Sequence, residues 1–136
     1  MQIVRTAGAR ARELFAMVDE GRHDELCAQF ADDALMELPF APGRMVRAYE
    51  GRLAIRGFVM STRSAFSALS MIVDAVHETT DPHVVIVEHH SEGVVAANGR
   101  PYRNRYVTLL RFRDDGKVTL WREYYDAGEV VRAFRE

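Results

Sequence analysis

The sequence predicts a layered α+β domain in which three helices precede a strongly curved antiparallel sheet. Apolar residues recur at helical spacing only in the first half of its 136 residues, and strand-like segments fill the second half. Between two of those segments stands Asn98-Gly99, the strongest short-range hairpin signal in a sequence. A chain of this length can bury a core without disulfides or metal, so we expect one domain over residues 1–136.

The predicted helices come first along the chain. Apolar positions from Ala7 to Val18 indicate an amphipathic helix that ends at Gly21, and a third helix is expected from Ile55 to Phe66. Asp24 is predicted to cap a short second helix between them. That second helix would bury three apolar residues, Leu26, Cys27 and Phe30.

A short strand is predicted next, and a long loop follows it. The strand is expected over residues 34–38, where Pro39 ends it, and residues 39–51 form the loop because they hold two prolines and two glycines. From about Leu69 onward the pattern is typical of strands, interrupted at Asp81-Pro82.

The two strands beside Asn98-Gly99 carry the clearest face assignment. A two-residue turn would place His89 opposite Thr108 and Ser91 opposite Tyr106. On the returning strand the odd positions hold mostly arginines, whereas the even positions hold aromatic, amide and hydroxyl side chains. Side chains alternate between the faces of a strand, so the even set is expected to form a pocket wall. Glu88, His90 and Glu92 fall on the arginine face, where cross-strand ion pairs are expected.

The direction of Glu123 depends on the length of the last hairpin loop. The turn is predicted at residues 114–116, with the final strand over residues 118–126. A two- or four-residue loop puts Glu123 on the face of Tyr106 and Thr108, and a three-residue loop puts it on the other face. The residues alone leave both directions open. Asp126 is expected to cap a terminal helical turn.

Composition excludes several classes of partner. The net charge is −2, with acids interleaved among the arginines, which argues against nucleic acid. No apolar stretch reaches membrane-spanning length, and residues 1–12 lack the apolar region of a secretory signal. Cys27 is the one cysteine, so no internal disulfide is possible and a cytoplasmic location is expected. No metal is expected, because His89 and His90 point to opposite faces of their strand.

Four motifs, in order along the chain, resemble the ketosteroid-isomerase-like or SnoaL-like superfamily, which has the nuclear-transport-factor-2-like (NTF2-like) fold. They are residues 30–39, residues 49–58, the run Gly99 to Asn104 and the run Trp121 to Asp126. The chain is nearest in motif to the phenazine-biosynthesis A/B and polyketide-cyclase-like members. The resemblance implies a cone-shaped barrel of three helices closed by a curved sheet, usually a homodimer, with a small organic ligand inside and no cofactor.

The resemblance also removes two activities. The general base of the steroid isomerases corresponds to Leu38, and their tyrosine and second acid correspond to Leu14 and Thr108. The arginine and aspartate of the epoxide hydrolases correspond to His89 and Ser91. Neither mechanism is therefore expected here. The carboxylate of the Trp-Arg-Asp-Tyr signature matches Glu123, and this match favours an inward direction for that side chain.

Ten residues form the predicted site. Glu123 is the predicted proton carrier, since a carboxyl among apolar side chains has a raised pKa. His89 and Tyr106 are predicted to assist it as catalytic residues. The predicted substrate-binding residues are Asn104, Thr108, Trp121, Tyr125, Leu38, Phe58 and Leu14.

Three functional hypotheses follow. The first is a cofactor-free isomerase or cyclase acting on a hydrophobic, ring-containing or polyketide-like molecule. The second is a ligand-binding accessory protein without chemistry. The third is a dimeric scaffold with a vestigial pocket, using the outer sheet face around Val107 and Leu109.

Overall fold

The computed structural model describes residues 5–135 and confirms the α+β class. Residues 1–4 and residue 136 lie outside the described part. The first four belong to the segment that was predicted to carry no secretory signal. Six strands form one sheet in the order β2-β1-β6-β5-β4-β3. The elements are α1 (Ala7–Glu20), α2 (His23–Ala28), β1 (Phe30–Glu37), β2 (Ala48–Glu50), α3 (Arg52–Ala65), β3 (Phe66–Glu78), β4 (Val84–Val95), β5 (Pro101–Phe112), β6 (Val118–Tyr125) and α4 (Ala127–Phe134).

Helix α1 lies inside the curve of the sheet and packs against β3 and β4. The Thr6 hydroxyl accepts a hydrogen bond from the Ala9 amide at its start. Gly21 ends it as predicted, in a left-handed conformation (φ 72°) that favours glycine. One face of the helix, including Leu14 and Phe15, is buried in the core.

The second helix is shorter than predicted. It begins at His23, and Asp24 is not its cap but lies in the first turn and pairs with Arg56. Leu26 and Cys27 are buried as expected. Phe30 is also buried, but it begins β1, because its backbone pairs in parallel with Val118 of β6.

The first strand therefore extends over residues 30–37 instead of 34–38. Its pairing with β6 is parallel, which adds one parallel pair to the predicted curved antiparallel sheet. The predicted loop over residues 39–51 contains the short strand β2, which pairs antiparallel with β1. The other strand pairs of the sheet are antiparallel.

The β4–β5 hairpin has a different register from the predicted one. His89 stands opposite Tyr106 and Ser91 opposite Asn104, because the Val95 amide bonds to the Arg100 carbonyl and leaves residues 96–99 as the loop. A two-residue type I′ turn needs positive φ at both central positions, and only Gly99 has it. Asn98 instead bonds to the Arg100 amide and the Ala133 carbonyl. The shift is two residues, so the predicted face of every side chain is kept.

The long strands β3 and β4 curve over the helices. Their register shifts between Phe66 and Ala68 and again between Val73 and Ala75, and such bulges bend a strand pair. Gly93 lies so close to β3 that a Cβ there would stand 2.6 Å from the Ala68 carbonyl oxygen. This glycine allows the close approach of the two backbones.

The alternation on β5 is confirmed, with its even positions buried from Tyr102 to Phe112. On the outer face, Glu88 and His90 make cross-strand pairs with His77 and Asp74 of β3. Asp126 caps α4 as predicted by accepting from the Gly128 amide. Among residues 5–135, no helix is long and apolar enough to cross a membrane.

Candidate functional site

A cavity of about 690 Å³ lies between the helices and the inner face of the sheet. This volume suits a small organic ligand. Most of its walls are apolar. They include Phe15, Leu26, Met36, Leu38, Phe58, Val59, Leu69, Met71 and Trp121.

Glu123 lines this cavity from strand β6. It stands opposite Thr108, because an irregularity at Arg111 and Phe112 adjusts the register of the last hairpin. The Trp121 indole N–H donates to its Oε1 over 3.4 Å. Burial raises the pKa of Glu123 to about 7, and the hydrogen bonds from Trp121 and Thr108 lower it by less. Near neutral pH this group can therefore both take and give a proton.

His89 lies behind the wall, where its side chain is 1% exposed. Its Nε2 is 2.7 Å from the Thr108 Oγ1, and its Nδ1 is 3.0 Å from the Met71 Sδ. The ring stacks on Tyr106 at 4.7 Å and also contacts Phe15. Burial lowers the pKa of His89 to about 3, so the imidazole is neutral at physiological pH. Thr108 contacts His89 and stands opposite Glu123, so it lies between the two residues.

A hydroxyl network occupies the same inner face farther along β5. The Tyr106 hydroxyl is 2.7 Å from the Ser91 hydroxyl and 2.9 Å from the Tyr102 hydroxyl. Asn104 Nδ2 donates to the Tyr102 oxygen over 2.9 Å. Burial is the largest cause that raises the pKa of both tyrosines, and the nearby Glu123 carboxylate raises both further. Both phenols are therefore neutral donors.

The structure divides the ten predicted site residues into two groups. Six line the cavity: Glu123, Tyr106, Trp121, Tyr125, Leu38 and Phe58. The other four, namely His89, Asn104, Thr108 and Leu14, lie behind the lining residues. Asn104 is 4% exposed and makes all its side-chain hydrogen bonds within the protein. Leu14 packs in the core, and its neighbour Phe15 reaches the cavity instead.

Sequence reasoning missed several lining residues. The alternation of side chains along the strand could have identified Tyr102, because it lies two residues before Asn104 and shares its face. His23 also lines the cavity, and its Nδ1 is buried without a partner among the described residues. Burial, and then the Arg63 charge, lower the pKa of His23. No sequence pattern indicates His23, since it lies at a helix start. Within residues 5–135, no three His, Cys, Asp or Glu side chains converge as a metal site requires.

A curved sheet closed over helices around an internal apolar cavity defines the class of NTF2-like folds. The sequence profile of the SnoaL-like domain matches residues 11–121 of this chain. The chain therefore belongs to the SnoaL-like family. The match ends two residues before Glu123, so it supports the fold and leaves the role of that carboxylate open.

Three similar proteins illustrate the range of the fold. A PhzA/B-like protein of Pseudomonas aeruginosa is 28% identical over 114 residues, covering 81% of this chain and 77% of its own length. An NTF2-like protein of Burkholderia pseudomallei superposes with a TM-score of 0.84 at 16% identity, covering 98% of this chain and 100% of its own. RV0760c of Mycobacterium tuberculosis, in complex with estradiol-17beta-hemisuccinate, has a TM-score of 0.79 at 15% identity, covering 92% and 98%.

Proposed function

We propose that this protein is a cofactor-free isomerase or cyclase that moves a proton on a small hydrophobic, ring-containing or polyketide-like molecule, with Glu123 as the proton carrier. One observation carries the proposal: a carboxyl group stands in the wall of an apolar cavity with its pKa raised to about 7. A group whose pKa is near the working pH is well suited to general acid–base catalysis.

The chemistry needs few other parts. The Glu123 carboxylate would take a proton from the bound molecule and return it at another atom. Hydrogen bonds from Trp121 and Thr108 stabilise the charged carboxylate, which prevents its pKa from rising further. Aromatic and aliphatic walls exclude water from the reacting atoms.

For His89 we propose a supporting role. Its lowered pKa makes it a poor proton donor at neutral pH, and it lies behind the lining residues. The Thr108 hydroxyl can donate to Glu123 while it accepts from His89 Nε2–H, so the imidazole would orient the donor to the carboxylate. Tyr106 lines the cavity and would contribute to ligand binding through the hydroxyl network.

The similar proteins are consistent with this proposal. The steroid derivative bound to RV0760c is a ring-containing molecule held by the same fold. A putative polyketide cyclase of Xanthomonas campestris has the same fold, with a TM-score of 0.78 at 20% identity.

An alternative is a ligand-binding accessory protein without chemistry. The observation that favours it is the mostly apolar wall of the cavity, since apolar walls suffice to hold an apolar ligand. The two functions differ in the role of Glu123. The enzyme needs this carboxyl group for turnover, whereas the accessory protein has it only as part of the cavity wall.

The substitution Glu123→Gln separates the two functions, because it keeps the shape and removes the proton carrier. We expect the wild-type protein to accelerate exchange of the α-hydrogens of 2-tetralone, a ring ketone, in D2O. In the variant we expect a loss of this acceleration of about 100-fold or more, with the Kd for the ketone changed less than about threefold. Proton NMR measures both quantities.

The matched control is Glu37→Gln on the neighbouring strand, where the carboxylate pairs with Arg122 away from the cavity. Equal exchange by wild-type protein and Glu123→Gln would contradict the catalytic assignment. Binding of a panel of ring ketones without any exchange would support the accessory protein.

We also propose a homodimer through the outer face of the sheet. Val107 and Ile72 keep 42% and 38% of their surface exposed there, among charged neighbours. Equilibrium sedimentation at micromolar concentration should give twice the 15.5 kDa chain mass. A species of chain mass would contradict the dimer, and Val107→Glu should shift the equilibrium to that species.

A further inference from the structure

We propose that the Tyr102 phenol is the hydrogen-bond donor that binds a carbonyl or enolate oxygen of the ligand, at the cavity end of the hydroxyl chain Ser91–Tyr106–Tyr102. The proposal rests on the proposed function for the presence of a ligand in the cavity. It adds the group on the ligand that the site recognises and the residue that recognises it.

The first step is the orientation of the Asn104 amide. Its Oδ1 accepts from two backbone N–H groups, those of Arg105 at 2.8 Å and Asp126 at 3.1 Å. This leaves Nδ2 as the donor, to the Asp126 carbonyl at 3.0 Å and to the Tyr102 oxygen at 2.9 Å. The amide makes two bonds through each end and cannot be flipped without losing them. Tyr102 therefore accepts one fixed hydrogen bond.

The second step is a count of protons along the chain. Ser91, Tyr106 and Tyr102 carry three hydroxyl protons, and two oxygen–oxygen contacts join them, at 2.7 and 2.9 Å. Each contact uses one proton, so one proton remains, on Ser91, on Tyr102 or, if both neighbours donate to it, on Tyr106. Among the described residues, no other acceptor lies within hydrogen-bond distance of these hydroxyls.

The third step is the direction of the chain. If the bonds ran from Tyr102 towards Ser91, the spare proton would be on Ser91, which is 1% exposed and does not line the cavity. A buried donor without a partner destabilises the folded protein. If the bonds run from Ser91 through Tyr106 to Tyr102, the spare proton is on a residue that lines the cavity. When both neighbours donate to Tyr106, the spare proton is on Tyr106, which also lines the cavity. We assign the donor to Tyr102 because the fixed bond from Asn104 holds its oxygen in place and polarises its O–H group.

A donor on Tyr102 suits the reaction proposed for Glu123. The carboxylate takes a proton from the carbon next to a carbonyl, the C–H bond breaks, and its electron pair moves onto the carbonyl oxygen to form an enolate. Tyr102 keeps its proton and donates a hydrogen bond to that oxygen. Glu123 then returns its proton to a carbon of the enolate, so atoms and electrons balance without a further reactant.

The test compares a matched ligand pair, 2-tetralone and tetralin, which share a ring skeleton but differ in the carbonyl group. We expect Tyr102→Phe to weaken binding of 2-tetralone by about 3- to 10-fold, the range of one neutral hydrogen bond, and to leave tetralin within about twofold. NMR titration gives both Kd values. Tyr124→Phe is the control, because this residue stands opposite the exposed Val107 on the outer face.

Two further variants fix the assignment to Tyr102. Ser91→Ala removes the far end of the chain and should reduce affinity for the ketone less than Tyr102→Phe does. Tyr102→Phe/Tyr106→Phe should bind the ketone no better than Tyr102→Phe. Unchanged ketone affinity in Tyr102→Phe, a loss that appears only in the double variant, or a wild-type protein indifferent to the carbonyl would each overturn the proposal.

The two proposals fail in different measurements. Selective loss of ketone binding in Tyr102→Phe, together with full hydrogen exchange in Glu123→Gln, would support the oxygen site and contradict the catalytic role of Glu123. Loss of exchange in Glu123→Gln, with unchanged ketone binding in Tyr102→Phe, would do the reverse.

Discussion

The inner and outer faces of strands β4 to β6 use the same residue types for opposite purposes. His89 points inward, is 1% exposed, and has its pKa lowered to about 3. The next residue, His90, points outward and pairs with Asp74 at 2.8 Å with a third of its side chain in solvent. One step along the strand separates a neutral core imidazole from a surface imidazole that contacts a carboxylate.

The glutamates show the same contrast. Glu123 lines the cavity with its pKa raised to about 7, whereas Glu37 contacts the Arg122 guanidinium at 3.0 Å with its side chain 29% exposed. The comparison teaches that the face of the strand, more than the residue type, decides whether a titratable group here is a candidate for chemistry or a solvated charge.

The largest expected effect is the loss of stability on truncating Phe15, which packs against the inner face of the sheet. Phe15 is 2% exposed and covers both His89 and Trp121 with its ring. Phe15→Ala should lower the free energy of unfolding by about 3–5 kcal/mol, because it leaves a cavity. Water entering there should also raise the pKa of His89. Urea denaturation and NMR titration measure the two effects. Phe40→Ala, at an aromatic residue 58% exposed, should cost less than about 1 kcal/mol, and equal costs would contradict the contrast.

The next effect is the acid sensitivity that His89 confers. Its pKa is about 3 in the folded protein against 6.5 for a free imidazole, so the unfolded state binds one more proton between these values. Stability should therefore fall as the pH drops from 6.5 towards 3, by up to about 1.4 kcal/mol per pH unit. His89→Gln should remove this slope in denaturation series, and His90→Gln should keep it. A slope retained in His89→Gln would refute the assignment.

Glu123 should produce the opposite slope. Its pKa is about 7 when folded against 4.5 unfolded, so the folded state binds the extra proton and stability falls as the pH rises through this window. We compare the free energy of unfolding of Glu123→Gln with that of the wild type at each pH. From pH 4 to pH 8 this difference should shift in favour of the variant by up to about 3 kcal/mol. Between pH 4.5 and 6.5 the slopes of His89 and Glu123 oppose each other, so each single variant should expose the other's slope. A Glu123→Gln profile identical to that of the wild type would refute this balance.

The smallest effect belongs to the outer face. Glu37→Gln breaks an ion pair whose side chains are 29–32% exposed, and such pairs contribute about 1 kcal/mol or less. The loss should shrink further in 1 M salt, because salt screens exposed charges. Denaturation at low and high salt checks this. A larger loss of stability that does not change with salt would contradict the description of this pair as a weak, exposed ion pair.

Strand parity allowed much of this arrangement to be predicted from the sequence. The alternation on β5 assigned Tyr106 and Thr108 to the inner face correctly even though the predicted hairpin register was two residues off, because a shift of two keeps every side chain on its face. Parity does not show which inward residues reach the cavity. Asn104 and Thr108 face inward, but hydrogen bonds within the protein engage them behind the lining.

Features that depend on contacts between distant residues could not be predicted from the sequence. The parallel pairing of β1 with β6 joins Phe30 to Val118, which no local pattern signals. His23 reaches the cavity only because the short helix α2 sits at its edge. Asp24 is of a residue type that often caps helices, but its carboxylate pairs with Arg56 of α3 instead.

Gly93 lets β3 and β4 approach closely at one border of the cavity. Phe66, Ala68 and Leu69, on the segment that crosses this glycine, border the cavity, whereas Glu123, the proposed proton carrier, is on β6, three strands away in the sheet. One added methyl group at position 93 would push that segment aside and change the size of ligand admitted while leaving the acid untouched. A substitution at this position would therefore change ligand size without moving Glu123.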